Sequence, residues 1–193
     1  MKRKLLLYLA LATLTQCSRC KRDDPAPEPP KDPISTLPPE TQTGAGTLGC
    51  LVNGDAFISP SSGLAFGEWI TTDKLSISAT KAGTRDIVNF SILLHGSLQD
   101  NQGFSLITQG PSGFPPAYTS GLNQFTVFYN SFIRSTGSYC YYDGRLIKSG
   151  RVDLVKFDPV ARIAAGRFSF TLSPAPGGCD TLKVTAGRFD IKF

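Results

Sequence analysis

The sequence has one histidine, one tryptophan and one methionine in 193 residues. His95 is thus the sole imidazole for a Ser-His-Asp relay, and no GxSxG nucleophile elbow accompanies it. Long basic runs are missing. Behind residue 16 no stretch of Lys or Arg exceeds two (Lys21-Arg22). The formal charge of +5 includes Lys2, Arg3 and Lys4; without them 17 Lys and Arg stand against 15 Asp and Glu, a net of +2. A nucleic-acid surface needs clustered cations that release counterions, so this composition argues against nucleic acid as a partner. Apolar runs are short: Leu5 to Leu14 has ten residues, where a membrane-crossing helix needs roughly 20. Between Thr47 and Phe193 no eleven-residue stretch keeps a 3.6-residue period, which predicts little helix. The single CxxC is Cys17/Cys20, outside the globular part, so zinc-ligand spacing is lacking there. With 40% hydrophobic and 18% charged residues, the chain is neither wholly disordered nor a polytopic membrane protein.

What is present begins with a leader. Lys2-Arg3-Lys4 followed by Leu5 to Leu14 has the form of a signal peptide over residues 1–16. It ends in Leu14-Thr15-Gln16-Cys17, which resembles a bacterial lipobox with Leu at −3 and Cys at +1; Gln16 stands where Gly, Ala or Ser is usual. The resemblance implies a diacylglycerol on the Cys17 thiol and cleavage before it, with Cys20 as the fallback anchor. Acyl chains bury about 0.8 kcal/mol per CH₂ in a bilayer. Asp23-Asp24 is a short acidic stretch similar to a Bacteroidota surface-export signal. The expected location is the cell envelope, on the outer membrane, facing the periplasm or the exterior. Residues 17–43 form the lipidated Cys and a tether, because 25–43 hold seven of the fourteen prolines. Proline fixes φ and lacks an N–H, so this stretch is predicted to run extended, at about 3.1 Å per residue.

From residue 44 to 193 the pattern is that of a single all-β domain. Leu75, Ile77 and Ala79 alternate with Ser76, Ser78 and Thr80, and Gly, Asn, Asp, Ser and Pro clusters punctuate the runs. Val152 and Leu154 open one strand, Asp158-Pro159-Val160-Ala161 is a turn, and Ile163 to Leu172 returns. Thr181 to Phe193 is the last strand, apolar enough to be packed rather than frayed. Inward phase changes parity near Gly166 and near Gly187, which predicts a β-bulge at each, with Arg167 and Arg188 facing solvent. The expected architecture is an antiparallel β-sandwich; a calycin-like up-and-down β-barrel is the alternative.

Gly49-Cys-Leu-Val-Asn-Gly54, Lys156-Phe-Asp-Pro159, Gly166-Arg-Phe-Ser-Phe170 and the closing Cys179 to Phe193 together resemble a family of uncharacterised Bacteroidota cell-envelope lipoproteins. The likeness covers about residues 44–193. It implies the location and an all-β fold, and it transfers no activity and no catalytic residue.

Three cysteines lie in the domain: Cys50, Cys140 and Cys179. Outside the inner membrane a disulfide persists. Cys50–Cys179 is the favoured pair, with Cys140 as the alternative partner. Neither a metal nor a cofactor is expected. Gly44-Ala-Gly-Thr-Leu-Gly49 matches GxGxxG, but a tether precedes it and a strand follows, so no helix N-terminus can take a pyrophosphate. The scattered carboxylates, among them Asp73, Asp100, Asp158 and Asp190, read mostly as turn residues. The loop Gln109 to Tyr118 carries the candidate ligand platform, Phe114 and Tyr118, whose rings suit a glycan or a peptide. The function this adds up to is a lipid-anchored, non-catalytic domain that binds a glycan, a peptide or an envelope protein. Its rivals are a carrier of small apolar ligands with a barrel cavity and an envelope glycan hydrolase.

Overall fold

Alternating apolar residues give the described strands β1 (Thr47–Val52), β2 (Asp55–Ser59), β3 (Ala65–Thr71), β4 (Lys74–Ala82), β5 (Asp86–His95) and β6 (Gln102–Leu106), then β7 (Gln124–Ile133), β8 (Ser138–Tyr142), β9 (Ile147–Asp158), β10 (Ile163–Leu172) and β11 (Leu182–Lys192). Two 3₁₀ turns, η1 (Pro33–Thr36) and η2 (Gly144–Leu146), complete them. These come from a computed structural model describing residues 32–59, 65–82, 86–106, 121–133, 137–174 and 179–193. The leader, Cys17 and Cys20 lie outside the described residues, as do Phe114 and Tyr118.

The strands form one mixed sheet in the order β2-β1-β11-β10-β9-β6-β7-β5-β4-β3, with β8 added beside β7. All described pairings are antiparallel except the short β6–β7 contact. The all-β class holds. The single sheet curls until it is nearly closed, which brings it nearer to the barrel alternative than to two separate layers. Its two ends approach through side chains: Ser59 Oγ of β2 donates to the Thr80 carbonyl of β4 at 3.3 Å. Trp69 of β3 packs edge-on against Phe157 and Phe193, whose rings stack at 5.2 Å.

The interior is aromatic. Phe90 of β5 stacks on Phe168 and Phe170 of β10 at 5.3 and 5.7 Å, and meets Tyr129 edge-on. Leu75, Ile77, Ile92, Leu94, Phe104, Phe125, Val152 and Leu154 are fully buried around it. Truncating one such ring costs about 3–5 kcal/mol, so this stack joins the two halves of the sheet.

One expected bulge is found and one is displaced. On β11, Phe168 faces Gly187 while Phe170 faces Val184, so Thr185 and Ala186 together oppose Ser169. Ala186 takes a positive φ of 51°, and the buried set moves from Leu182 and Val184 to Phe189, Ile191 and Phe193. On β10, by contrast, Ala164, Gly166, Phe168, Phe170 and Leu172 keep one parity. The extra residue belongs to β9: Ala165 pairs with Lys156 and Gly166 with Leu154, leaving Val155 over. Gly166 is glycine for another reason. The Phe189 ring and the Asp153 carbonyl occupy the place of its missing Cβ. The turn at Asp158 is as expected, with Asp158 Oδ1 accepting from Val160 N and Ala161 N.

The proline-rich stretch is not all tether. Residues 32–43 lie on the outside of β1, β10 and β11 as a strap, and the compact unit runs from Asp32 to Phe193. Leu37 is buried, and Pro38 fills the space over Gly49. Glu40 accepts from Arg167 Nε at 2.8 Å, so Arg167 is capped although it stays exposed. Arg188 donates to the Ile34 carbonyl at 3.3 Å.

The strap is fastened at Asp190, which is 1% exposed. Its carboxylate accepts from Thr41 Oγ1 at 2.6 Å, Thr43 N at 3.0 Å, Thr43 Oγ1 at 3.2 Å and Gly44 N at 2.7 Å. Burial pushes this carboxyl up, but the converging donors outweigh it and hold it below the usual carboxylate range. A depressed folded value means that the contribution is complete above the unfolded value, about 3.9, and is lost as pH falls through the folded one. Asp190→Asn is expected to cost about 2 kcal/mol at neutral pH, as loss of hydrogen bonds to a charged acceptor does. Urea denaturation measures it. The variant should lose less stability than wild type between pH 5 and acid, roughly the span over which the carboxyl titrates.

Candidate functional site

Strand β7 carries aromatic residues on both parities. Phe125 and Tyr129 point inward and are buried. Phe128 and Phe132 point outward, 39% and 37% exposed. Strand β8 repeats the pattern. Tyr142 is buried, while Tyr139 and Tyr141 are 58% and 43% exposed on the outer face. A buried face is the default for such residues, and a contiguous exposed aromatic patch marks an interaction surface.

Register assembles the patch. Phe132 lies directly opposite Tyr139, and Asn130 directly opposite Tyr141. Directly opposite residues have Cβ atoms about 5 Å apart, and diagonal ones roughly 7–8 Å, and Phe128 is the diagonal neighbour of Tyr141. Asn130 sits in the middle, two residues from each phenylalanine. Across the next strand a row of polar side chains runs into it. Thr80 Oγ1 donates to Asn89 Oδ1 at 3.0 Å, and Asn89 Nδ2 donates to Asn130 Oδ1 at 2.9 Å. Ser78 and Ser91 make a parallel rung at 3.2 Å. These bonds fix the amide of Asn130 with its Oδ1 turned to Asn89.

The edge strand is pinned from behind. Cys140 faces inward and is bonded to Cys179, with the two Cα atoms 5.8 Å apart. Tyr142 Oη donates to the Asp180 carbonyl at 2.6 Å, and its ring meets Tyr129 edge-on at 5.8 Å. Burial, then the Asp180 carboxylate, push the Tyr142 phenol up, so it remains a neutral donor. Beyond Tyr142, η2 passes over the outer side of β7: the place of a Cβ on Gly144 is taken by Thr126 Oγ1. Thr126 and Gln124 are covered as a result, and the patch ends there.

The disulfide corrects the favoured pairing. Cys50 does not bond Cys179; it is a free, buried thiol within β1. The β1–β11 register sets Leu51 beside Thr185 and Gly49 beside Arg188. Cys50 is therefore level with Ala186 and Gly187, several residues along β11 from Cys179. At about 3.3 Å per residue that is on the order of 20 Å, whereas bridged Cα atoms lie within about 7 Å.

Other sequence candidates behave as strand and turn residues. His95 ends β5, and its Nε2 lies 3.1 Å from Asp73 Oδ2, beside an open bowl lined by Ser97, Leu98 and Leu122. Asp100 accepts from Phe157 N at 2.6 Å. The Gly44–Gly49 motif turns the strap into β1, with Gly44 and Gly46 at positive φ. Among the described residues no three His, Cys, Asp or Glu gather at metal-binding distance. A cleft of about 210 Å³ under the strap is lined by Glu40, Arg167 and Arg188, and its Glu40 and Arg167 are engaged with each other. The aromatic patch itself escaped sequence reading, although the signal was present: aromatic residues on both parities of β7 and β8 cannot all enter one core.

Compared with family models, curated proteins and solved structures, the chain matches none.

The Cys50 thiol is pushed up to about 12 by burial, so it should resist alkylation at pH 8 until the protein unfolds. The bridge separates residues 39 apart, which in the chain-entropy model corresponds to about 4 kcal/mol. Reduction, or Cys140→Ser, should lower stability on that scale in a urea titration. Cys50→Ala should leave the disulfide intact by mass spectrometry.

Proposed function

We propose that the protein is a non-catalytic binding domain of the cell envelope. It is fastened to a membrane by a diacylglycerol on Cys17, with Cys20 as the fallback, and it offers the β7–β8 aromatic face to its partner. The observation that carries this reading is the set of four exposed rings around Asn130, two on β7 and two on the edge strand β8 that a disulfide holds. Rings displayed on a rigid element give contact area with little loss of side-chain freedom, which is how anchors of binding surfaces work. A monomer gains nothing by exposing them to water.

The leader, the lipobox-like Leu14 to Cys17 and the resemblance to Bacteroidota envelope lipoproteins support the location. A disulfide in the domain agrees with an oxidising compartment. The carrier reading has less support, because Phe90, Phe168 and Phe170 stack where a barrel would hold an apolar ligand.

Radiolabelled palmitate should enter the wild-type protein and Cys20→Ser, but not Cys17→Ser. A variant with Phe128, Phe132, Tyr139 and Tyr141 all changed to Ser should keep its disulfide. Compared on a Cys17→Ser, Cys20→Ser background that carries no lipid, it should sediment with isolated envelope particles at least about tenfold less well than the parent with its four rings, the scale on which anchor truncations act. Equal sedimentation of the two, or substrate turnover abolished by one point substitution, would overturn the proposal.

A further inference from the structure

We infer that the β7–β8 face binds a neutral polysaccharide, with sugar rings lying on Tyr141, Tyr139 and the two phenylalanines and their hydroxyls meeting the Asn130 amide. This rests on the reading of that face as the binding surface and names what it takes.

Three features of the face point to this chemistry. The first is the mixture of groups. A sugar ring is apolar on its C–H faces and polar around its rim, so it suits aromatic rings set close to amide and hydroxyl groups. Here Asn130 lies between Phe128 and Phe132 and opposite Tyr141. Its Oδ1 already accepts from Asn89, which leaves Nδ2 as the donor end of the amide. Tyr141 is its directly opposite neighbour and Tyr139 its diagonal one, both exposed. A purely apolar partner would bury these donors without an acceptor, which is unfavourable.

The second is charge. The described residues that build the patch and the rows leading into it are Phe, Tyr, Asn, Ser and Thr, with Ile87 opposite Phe132. On the β8 side Asp143 is buried, and Asp180 is exposed beside the inward-facing Tyr142. Glu68 and Lys74 belong to the far end of the sheet, since β4 and β5 carry their rungs towards Thr126 and Gln124. Among the described residues an anionic glycan would find no cation in this patch to pair with, while a neutral one meets its own kind of surface.

The third is extent and stiffness. Phe128 and Phe132 are four residues apart, about 13 Å along the strand. That is longer than one sugar ring, so the site spans a chain. The amide row through Thr80 and Asn89, together with Cys140–Cys179 behind, holds the donors and rings in place before a ligand arrives.

Affinity electrophoresis of the full chain in detergent tests this, with hydroxyethylcellulose, galactomannan and soluble starch as neutral probes and polygalacturonate and heparin as anionic ones. At least one neutral polymer should retard the protein, and added salt should leave that retardation unchanged. Tyr141→Ala and Asn130→Leu should each weaken it by about tenfold or more. An intact disulfide and an unchanged melting temperature show that each variant is folded. Retardation by the anionic polymers alone, or by none, overturns the inference, as does retardation that both folded variants retain. If no neutral polymer binds but the four-serine variant still loses envelope sedimentation, the glycan is wrong and the binding face stands. If that sedimentation also survives, both fail.

Discussion

The packing of Phe90 against Phe168 and Phe170 is the contact on which the rest depends. It joins the β4-β5-β7 half of the sheet to the β9-β10-β11 half, and it fixes which parity of each strand faces inward. A β-strand has a side-chain period of two, so a slip of one residue would exchange the two faces. With Phe90 held inside, Asn89 must be outside. With Val127 and Tyr129 inside, Phe128, Asn130 and Phe132 must be outside. The exposed face is thus a consequence of the core, placed by the same alternation that buries the other rings.

Two devices then stiffen what the core has oriented. The Cys140–Cys179 bridge and the Tyr142 hydroxyl attach β8, which has one strand neighbour among the described residues, to the chain just before β11. The strap does the same on the opposite side of the sheet. Its residues neutralise Arg167 through Glu40 and spend four donors on Asp190. That matters because Arg167 and Arg188 are directly opposed across β10 and β11, and like charges in that position repel. Glu40 lies within the field of both and is held below the usual carboxylate range, chiefly by its hydrogen bond with Arg167.

Local signals were readable where they depended on neighbours in sequence. The turn at Asp158, the bulge near Gly187 and the packed C-terminus all follow from short patterns of parity, turn residues and apolar bulk. The parity change near Gly166 misleads because Ala164 and Ala165 are both buried, one beneath the core and one beneath the strap. A sequence cannot say that a second layer covers the outer face. Asp190 is unreadable for the same reason: its partners Thr41, Thr43 and Gly44 are nearly 150 residues away. Proline content predicts an extended course, yet Pro33–Thr36 winds into a 3₁₀ turn. Nor does it say whether extended chain floats or docks.

The sequence by itself determined the class of the molecule. Period-two alternation and frequent turn residues allow strands and exclude long helices, because backbone hydrogen bonding permits few other solutions. Only the tertiary structure decided the partner of Cys179, the role of Asp190 and the sidedness of β7 and β8. Each of these depends on register between strands far apart in the chain. Register is set by how a whole core packs, and aromatic residues on both parities of β7 leave either face eligible until the opposing half of the sheet chooses one.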